Sequence, residues 1–92
     1  MEIIYDIHMF CSPGAGGHLH ATLRKTHESN VIPSVGIAFE DVAWKEPRTP
    51  IRISCNLELG YYYLQFDRVV LPDEASCEQE ERAYRIHGWR NL

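Results

Sequence analysis

The amino-acid sequence indicates an α+β fold, a mainly antiparallel sheet of four or five strands with one short helix on one face. Several segments carry apolar side chains at every second position, which is the period of a half-buried strand. One segment, after a glycine-rich turn, carries them at helical spacing instead. The chain of 92 residues is expected to form a single domain, 1–92, with one thin core.

The N-terminal third predicts a strand, a turn and the helix. Residues 2–10 alternate in polarity, and the apolar positions are Ile3, Tyr5, Ile7 and Met9. The run SPGAGG at 12–17 consists of residues that break regular structure, so it predicts a turn. A short helix is predicted from there to Glu28, because four side chains share one helical face: Leu19, Thr22, Leu23 and Thr26.

The middle of the chain predicts three strands. Residues 34–44 are rich in β-branched and aromatic side chains, and their alternation changes parity near Glu40, which predicts a strand with a bulge. The two prolines of KEPRTP at 45–50 predict a turn. Residues 51–59 show the cleanest alternation in the chain, and together with residues 62–70 they predict an antiparallel pair.

The C-terminal segment is open to two interpretations. Asp73 can cap a helix over residues 73–81, whose acidic side chains suit a first helical turn. Tyr84 and Ile86 alternate with polar residues, which fits a last strand instead. A loop or short helical turn followed by a strand is the favoured prediction.

Composition limits the classes of protein to which this chain can belong. Apolar residues make up 45% and charged residues 24%, which is typical of a folded domain. The net charge of −4 lacks the basic field of an autonomous nucleic-acid binder, so protein partners are favoured. Three widely spaced cysteines predict reduced, structural thiols. The N-terminus lacks a signal-peptide pattern and no apolar run reaches membrane-spanning length, so a cytoplasmic location without membrane contact is expected.

The glycine-rich turn matches no phosphate-binding motif. A phosphate loop requires a lysine that this turn lacks, and a dinucleotide fingerprint would require glycine in place of Leu19. No arginine closes a loop after Cys11, so this residue is predicted to be a structural thiol and not a nucleophile. His18 and His20 would point apart on a helix and could converge only on an extended segment. Neither a metal nor a cofactor is therefore expected.

Aromatic and basic side chains supply the first candidate binding residues. The densest basic spot, at the end of the predicted helix, consists of Arg24, Lys25 and His27. It is either a solvated helix end or a contact for RNA phosphates. Three consecutive tyrosines at 61–63 cannot all face the core, and an exposed tyrosine beside a tryptophan would anchor an interface. The resulting candidates are Trp44, Tyr61, Tyr63 and Trp89.

An acidic edge near the C-terminus consists of Asp73, Glu74, Glu78, Glu80 and Glu81, of which Glu78, Glu80 and Glu81 are the remaining candidates. Such an edge is usually solvated. It could also engage a basic groove made for nucleic acid, in competition that weakens with salt. The sequence shows no catalytic signature strong enough to name a reaction, so a non-enzymatic module is expected.

Three segments together resemble a known family. They are YDIHM at 5–9, RKTH ending in His27, and VGIAFEDV at 35–42. They are similar to the N-terminal half of the type I-F CRISPR repeat-processing endoribonucleases, although Ala38 and Glu40 stand where that family has serine and proline. The resemblance implies a ferredoxin-like fold and RNA cleavage without metal, in which His27 is the base that activates a ribose 2′-hydroxyl.

In general form the whole chain also resembles the small phage-encoded anti-CRISPR proteins of the type I-F system. Those proteins are short and acidic and consist mainly of one sheet with a helix. This resemblance implies a non-enzymatic inhibitor that binds the crRNA-guided surveillance complex in the host bacterial cytoplasm, with possible contact to its RNA, and blocks recruitment of target DNA. The inhibitor is the first hypothesis, and an RNA-binding or RNA-cleaving relative of the endoribonucleases is the alternative.

Overall fold

The computed structural model describes residues 1–12 and 17–92. Along the chain the regular elements are β1 (Glu2–Cys11), β2 (His18–Glu28), β3 (Arg52–Asn56), β4 (Tyr61–Gln65), β5 (Val69–Leu71), helix α1 (Glu74–Ile86) and β6 (Arg90–Asn91). This arrangement confirms the α+β class, a mostly antiparallel sheet with one helix packed on it. The described sheet has six strands, one more than the upper expected number.

Strand β1 lies at the centre of the sheet. The strand order is β3-β4-β1-β2-β6, and β5 also pairs with β1 beyond the end of β4. The pairs β1–β2, β2–β6 and β3–β4 are antiparallel, whereas β4 and β5 both run parallel to β1. Because β1 pairs with β2 along one edge and with β4 and then β5 along most of the other, its backbone is held by hydrogen bonds on both edges.

The predicted alternation of β1 is confirmed. Its odd-numbered side chains, Ile3 to Cys11, are all buried on the face covered by α1 and by the connection 29–51. The other core residues are Leu23, Leu64, Phe66, Cys77, Tyr84 and Trp89, against which Phe39, Ala43 and Trp44 pack. The helix covers one part of this face, and the aromatic side chains of the connection cover another.

The predicted helix ending at Glu28 is wrong, because this segment is β2 and pairs antiparallel with the ten-residue β1. Of the four side chains proposed to form a helical face, only Leu23 is buried, and Leu19 is half exposed. The two threonines have β-branched side chains that favour a strand. Pairing along the whole of β1 outweighs the weak helical spacing.

The predicted strand over residues 34–44 is also wrong. In this segment only Phe39 pairs, in an isolated antiparallel bridge with Arg48. Val35 and Val42 are exposed, so their β-branched side chains pack against no neighbouring strand in the described structure. The next prediction is confirmed for the pairing: β3 and β4 form an antiparallel pair, with β3 inside the first expected segment and β4 beginning at Tyr61, one residue before the second. The end of that second segment does not continue β4, because Val69–Leu71 is β5 and pairs with β1.

The C-terminal segment is a longer helix than the favoured prediction allowed, and the strand after it is β6. Asp73 caps α1, because its Oδ1 accepts a hydrogen bond of 2.7 Å from the backbone N–H of Ser76. Gly88 has a φ of +92° just after the helix, the left-handed conformation that commonly ends a helix. The expected strand alternation failed because Tyr84 is buried by helical packing and Ile86 is exposed.

Residues 13–16, which form most of the predicted glycine-rich turn, lie outside the described residues. In the described parts, no helix is long and apolar enough to cross a membrane. A ferredoxin-like β-α-β-β-α-β order would require two helices, and residues 1–12 and 17–92 contain only α1. The segment that resembles the helix carrying the catalytic histidine of the endoribonucleases is strand β2.

Candidate functional site

The side of the sheet opposite α1 forms what we call the uncovered face. The even-numbered side chains of β1 point to this side, together with the side chains that are in register with them on the neighbouring strands and on the next strands outward. These residues are Ile4, Asp6, His8, Phe10, Leu19, Thr22, Arg24, Thr26, Arg52, Ser54, Asn56, Tyr61, Tyr63, Gln65, Val70 and Arg90, with Glu2 and Glu28 at one end. Among these, Asp6 alone is buried. Within residues 1–12 and 17–92, this side of the sheet is therefore open to a partner.

A hydrogen-bonded network fixes the centre of the uncovered face. Arg24 donates from Nε and Nη2 to the two carboxylate oxygens of Asp6, at 2.7 and 2.8 Å, and the Tyr63 hydroxyl donates to Asp6 Oδ2 at 2.8 Å. The hydrogen bond to Asp6 raises the pKa of Arg24. Burial, and then the hydrogen bond to Asp6, raises the pKa of Tyr63. Both side chains are thereby held in their protonated forms in fixed positions.

Arginine side chains give the uncovered face a charge unlike that of the whole chain. Arg24 and Arg90 are opposite each other across β2 and β6, and Arg52 lies on β3. Arg68, which precedes β5, is added to the uncovered face as its fourth arginine, because its guanidinium lies over the Phe10 ring, 5.7 Å from the centroid. With four arginines and three acidic side chains this face is not acidic, although the chain carries −4. A partner with acidic or phosphate groups suits it.

The predicted basic spot is divided between the two sides of the sheet. Arg24 is on the uncovered face, whereas Lys25 and His27 are paired with Tyr5 and Ile3 on the core side. Lys25 Nζ donates to Asp41 Oδ2 at 2.8 Å and to the carbonyl oxygen of His87 at 2.9 Å. His27 makes an edge contact with Tyr5, 5.5 Å between ring centroids. The structure does not bring these three side chains together as one patch.

Tyrosines and tryptophans are also on opposite sides. Tyr61 and Tyr63 lie half-buried on the uncovered face, while Tyr62 packs against the core. Trp89 is buried, and Trp44 packs 5.8 Å from it and donates a hydrogen bond to the Tyr84 hydroxyl. Trp89 belongs to the core and Trp44 is partly buried against it, on the side of the sheet opposite Tyr61 and Tyr63, so the expected surface of tyrosine beside tryptophan does not form.

The three predicted acidic residues differ in their surroundings. Glu78 is exposed, and Glu80 lines a surface cavity beside Trp44. Glu81 accepts hydrogen bonds from Asn91 and His20, the latter at 3.2 Å. The bond from Asn91 and then that from His20, opposed by burial, lower the pKa of Glu81. Glu81 is therefore a structural link between α1 and the sheet.

A second group of chemically active side chains lies where β1 ends and β2 begins. We call Cys11, His18 and Glu74 the Cys–His–Glu cluster; one ligand atom of each lies within 4.8 Å of the others. His18 Nε2 is 3.6 Å from Glu74 Oε2, and His20 Nδ1 is 3.1 Å from Glu74 Oε1. Both histidines thus contact one carboxylate, which corrects the expectation that they diverge on a helix.

A β-bulge directs the two histidines toward the helix. Met9 pairs with Ala21 and Phe10 pairs with Leu19, so His20 is the extra residue of β2. Without the bulge, His20 would pair with Phe10 and would point to the uncovered face. Bulges re-aim side chains in this way and are frequent beside functional sites.

Sequence reasoning found some of these residues and missed others. The H-x-H spacing of His18 and His20 and the isolated position of Cys11 could be recognised in the sequence. Asp6 was missed as a site residue, and Glu74 was recognised only as part of the acidic edge and not as a partner of the histidines, because both roles depend on which elements meet in space. No local pattern shows that the first turn of α1 lies against the start of β2.

Comparisons of the chain with protein-family models, curated proteins and solved structures found no match.

Proposed function

We propose that this chain is a non-enzymatic binding module that docks a partner protein on its uncovered face. The observation that carries the proposal is that one whole side of the sheet lacks a covering element in the described structure. This face displays Tyr61, Tyr63 and four arginines, and both residue types are enriched in protein interfaces and their hot spots. The partner surface is expected to carry acidic or phosphate groups.

The proposed partner is the crRNA-guided type I-F surveillance complex of a bacterial host, and docking would block recruitment of target DNA. This step of the proposal rests on the resemblance in form to the small type I-F anti-CRISPR proteins. A complex of protein and RNA offers both carboxylates and phosphates, and the planar guanidinium of arginine binds either in a bidentate manner. The module would act in the host cytoplasm.

The test mixes the purified protein with the type I-F surveillance complex and measures co-migration and the remaining affinity for target DNA. Tyr61→Ala is expected to weaken binding about 30-fold, which corresponds to a hot-spot loss of ~2 kcal/mol. Arg52→Glu is expected to slow association and to reduce its dependence on salt. Arg82→Glu is the matched control, because Arg82 is exposed on α1, away from the uncovered face.

Equal losses in Arg52→Glu and Arg82→Glu would contradict a role for the uncovered face. If the complex does not co-migrate, and an unrelated protein binds in a manner that depends on Tyr61 and Arg52, the CRISPR assignment is rejected. The proposal of a binding module then still stands. Metal-independent cutting of a repeat RNA, lost in His27→Ala, would reject the module in favour of the endoribonuclease alternative.

A second candidate function is the binding of single-stranded RNA on the same face. Phe10, Tyr61 and Tyr63 lie on the uncovered face of the sheet together with arginines. RNA-binding sheets stack bases on such aromatic rings while basic side chains follow the backbone. Fluorescence anisotropy with a single-stranded RNA, compared between wild type and Tyr61→Ala, tests this candidate directly.

A further inference from the structure

The Cys–His–Glu cluster lies on the helix side of the sheet, and the docking role proposed above does not use it. Its members come from the end of β1, the start of β2 and the first turn of α1. Cys11 is fully buried, whereas the side chains of His18 and Glu74 are 56% and 54% exposed. The cluster therefore has a buried floor and a side open to solvent.

We propose that Cys11 Sγ, His18 Nε2 and a Glu74 carboxylate oxygen bind one zinc-class divalent cation, with water in the fourth position. Thiolate, imidazole and carboxylate are the ligand types that zinc takes in proteins, in tetrahedral geometry. The soft sulfur selects against magnesium and calcium, which take oxygen ligands.

The spacing of the ligand atoms is close to that of a tetrahedral site. Zinc–nitrogen and zinc–oxygen bonds of roughly 2.0–2.1 Å place two ligand atoms about 3.4 Å apart. His18 Nε2 and Glu74 Oε2 are 3.6 Å apart. A zinc–sulfur bond of roughly 2.3 Å places the sulfur about 3.6 Å from the other ligand atoms, so from the 4.8 Å limit of the cluster it needs to approach by about 1.2 Å at most. The half-exposed His18 and Glu74 side chains have the freedom to close that distance.

The groups around the cluster hold its carboxylate in place. His20 Nδ1 contacts the other carboxylate oxygen of Glu74, Oε1, at 3.1 Å, and His20 Nε2 contacts Glu81 at 3.2 Å. The carboxylate of Glu81 in turn accepts a hydrogen bond from Asn91 on β6. Partners of this kind orient metal ligands, and their loss typically weakens metal affinity 10–100-fold.

Binding exchanges a proton for the metal without any redox change. The S–H bond of Cys11 breaks, the sulfur forms a bond to the cation, and the proton passes to solvent. In the metal-free protein, burial and hydrogen bonds with Cys77 and Glu74 raise the pKa of the Cys11 thiol to about 12. The thiol is thus protonated until a cation displaces that proton.

The experiment titrates chelator-treated, folded full-length protein with Co²⁺ and then with Zn²⁺. We expect one ion per chain and a thiolate-to-cobalt charge-transfer band, which one equivalent of zinc removes. His18→Ala and Glu74→Gln each lower the affinity at least tenfold, and His20→Ala lowers it about 10–100-fold. Cys55→Ala is the matched control, since Cys55 is an exposed thiol on β3.

Cys11→Ser can disturb the core, so the partly exposed His18 supplies the decisive variant. Circular dichroism of each variant confirms that it is folded before metal is added. Absence of the charge-transfer band in folded wild type, wild-type affinity in His18→Ala, or loss of the band in Cys55→Ala would each overturn the proposal.

Discussion

Arg24 and Asp6 face each other across β1 and β2, and two parallel hydrogen bonds of 2.7 and 2.8 Å join the guanidinium to the carboxylate. Asp6 is 3% exposed. A buried carboxylate requires such a partner, because desolvation of the unpaired charge is costly. The centre of the uncovered face is thus rigid before any partner arrives.

Arg24→Ala is expected to lower the free energy of unfolding by about 3 kcal/mol, because it leaves the Asp6 carboxylate with Tyr63 as its remaining side-chain partner. Urea denaturation measures the loss. Asp6→Ala combined with Arg24→Ala is expected to cost less than the sum of the two single changes, since the pair is coupled. Additive losses would contradict the pairing.

Asp73→Ala is expected to lower the melting temperature of the protein by a few degrees, because the side chain of Asp73 caps α1 at Ser76. Asp73→Ser retains an oxygen that can cap the helix and is expected to remain close to wild type. Thermal unfolding followed by circular dichroism compares the three proteins. A loss as large in the serine variant would show that capping is not the cause.

Acid is expected to destabilise the fold through Glu81 and Asp41. Hydrogen bonds from Asn91 and His20, against burial, lower the pKa of Glu81. Burial alone would raise the pKa of Asp41, but hydrogen bonds from Lys25, from the Ala43 N–H and from Trp89 lower it. Because both folded values lie below the unfolded ones, this stabilisation is complete above about pH 5 and is lost as the pH falls through the folded values.

Urea midpoints measured between neutral and acidic pH test this dependence. Glu81→Gln is expected to reduce the slope of unfolding free energy against pH in acid. Glutamine has no carboxylate whose protonation would weaken the folded state. Glu78→Gln, an exposed glutamate on the same helix, is the matched control. An unchanged slope in Glu81→Gln would show that its links to Asn91 and His20 add no stability.

The predictions from sequence succeeded where a local pattern coincided with the tertiary environment. The alternation of β1 could be recognised in the sequence because every second side chain of this strand is buried. The pattern failed for β2, where Leu23 is the only buried side chain and the strand is defined by pairing with β1. It failed again at Val35, since a β-branched run becomes a strand only beside a partner strand.

For the candidate sites, too, prediction depended on whether a local sequence pattern coincided with the tertiary environment. Tyr61 and Tyr63 lie on the side of β4 opposite Tyr62, because three consecutive tyrosines in a strand cannot share a side, and their role in binding stays a prediction. The convergence of His18 and His20 on Glu74 could not be predicted, because it depends on a bulge and on the docking of α1. Register and docking are properties of the assembled sheet and are absent from any local window of sequence.

The affinity of the Cys–His–Glu cluster for zinc is expected to rise with pH, about tenfold per unit from neutral to mildly alkaline solution. The Cys11 thiol has its pKa raised to about 12, so each binding event must displace one proton throughout this range. Isothermal titration in buffers of different ionisation enthalpy measures the protons released, and about one per zinc is expected. Cys55→Ala is expected to release the same number, because the exposed thiol takes no part. An affinity that does not change with pH would mean that the cation binds without the Cys11 thiolate, and His18 and Glu74 alone would then have to account for it.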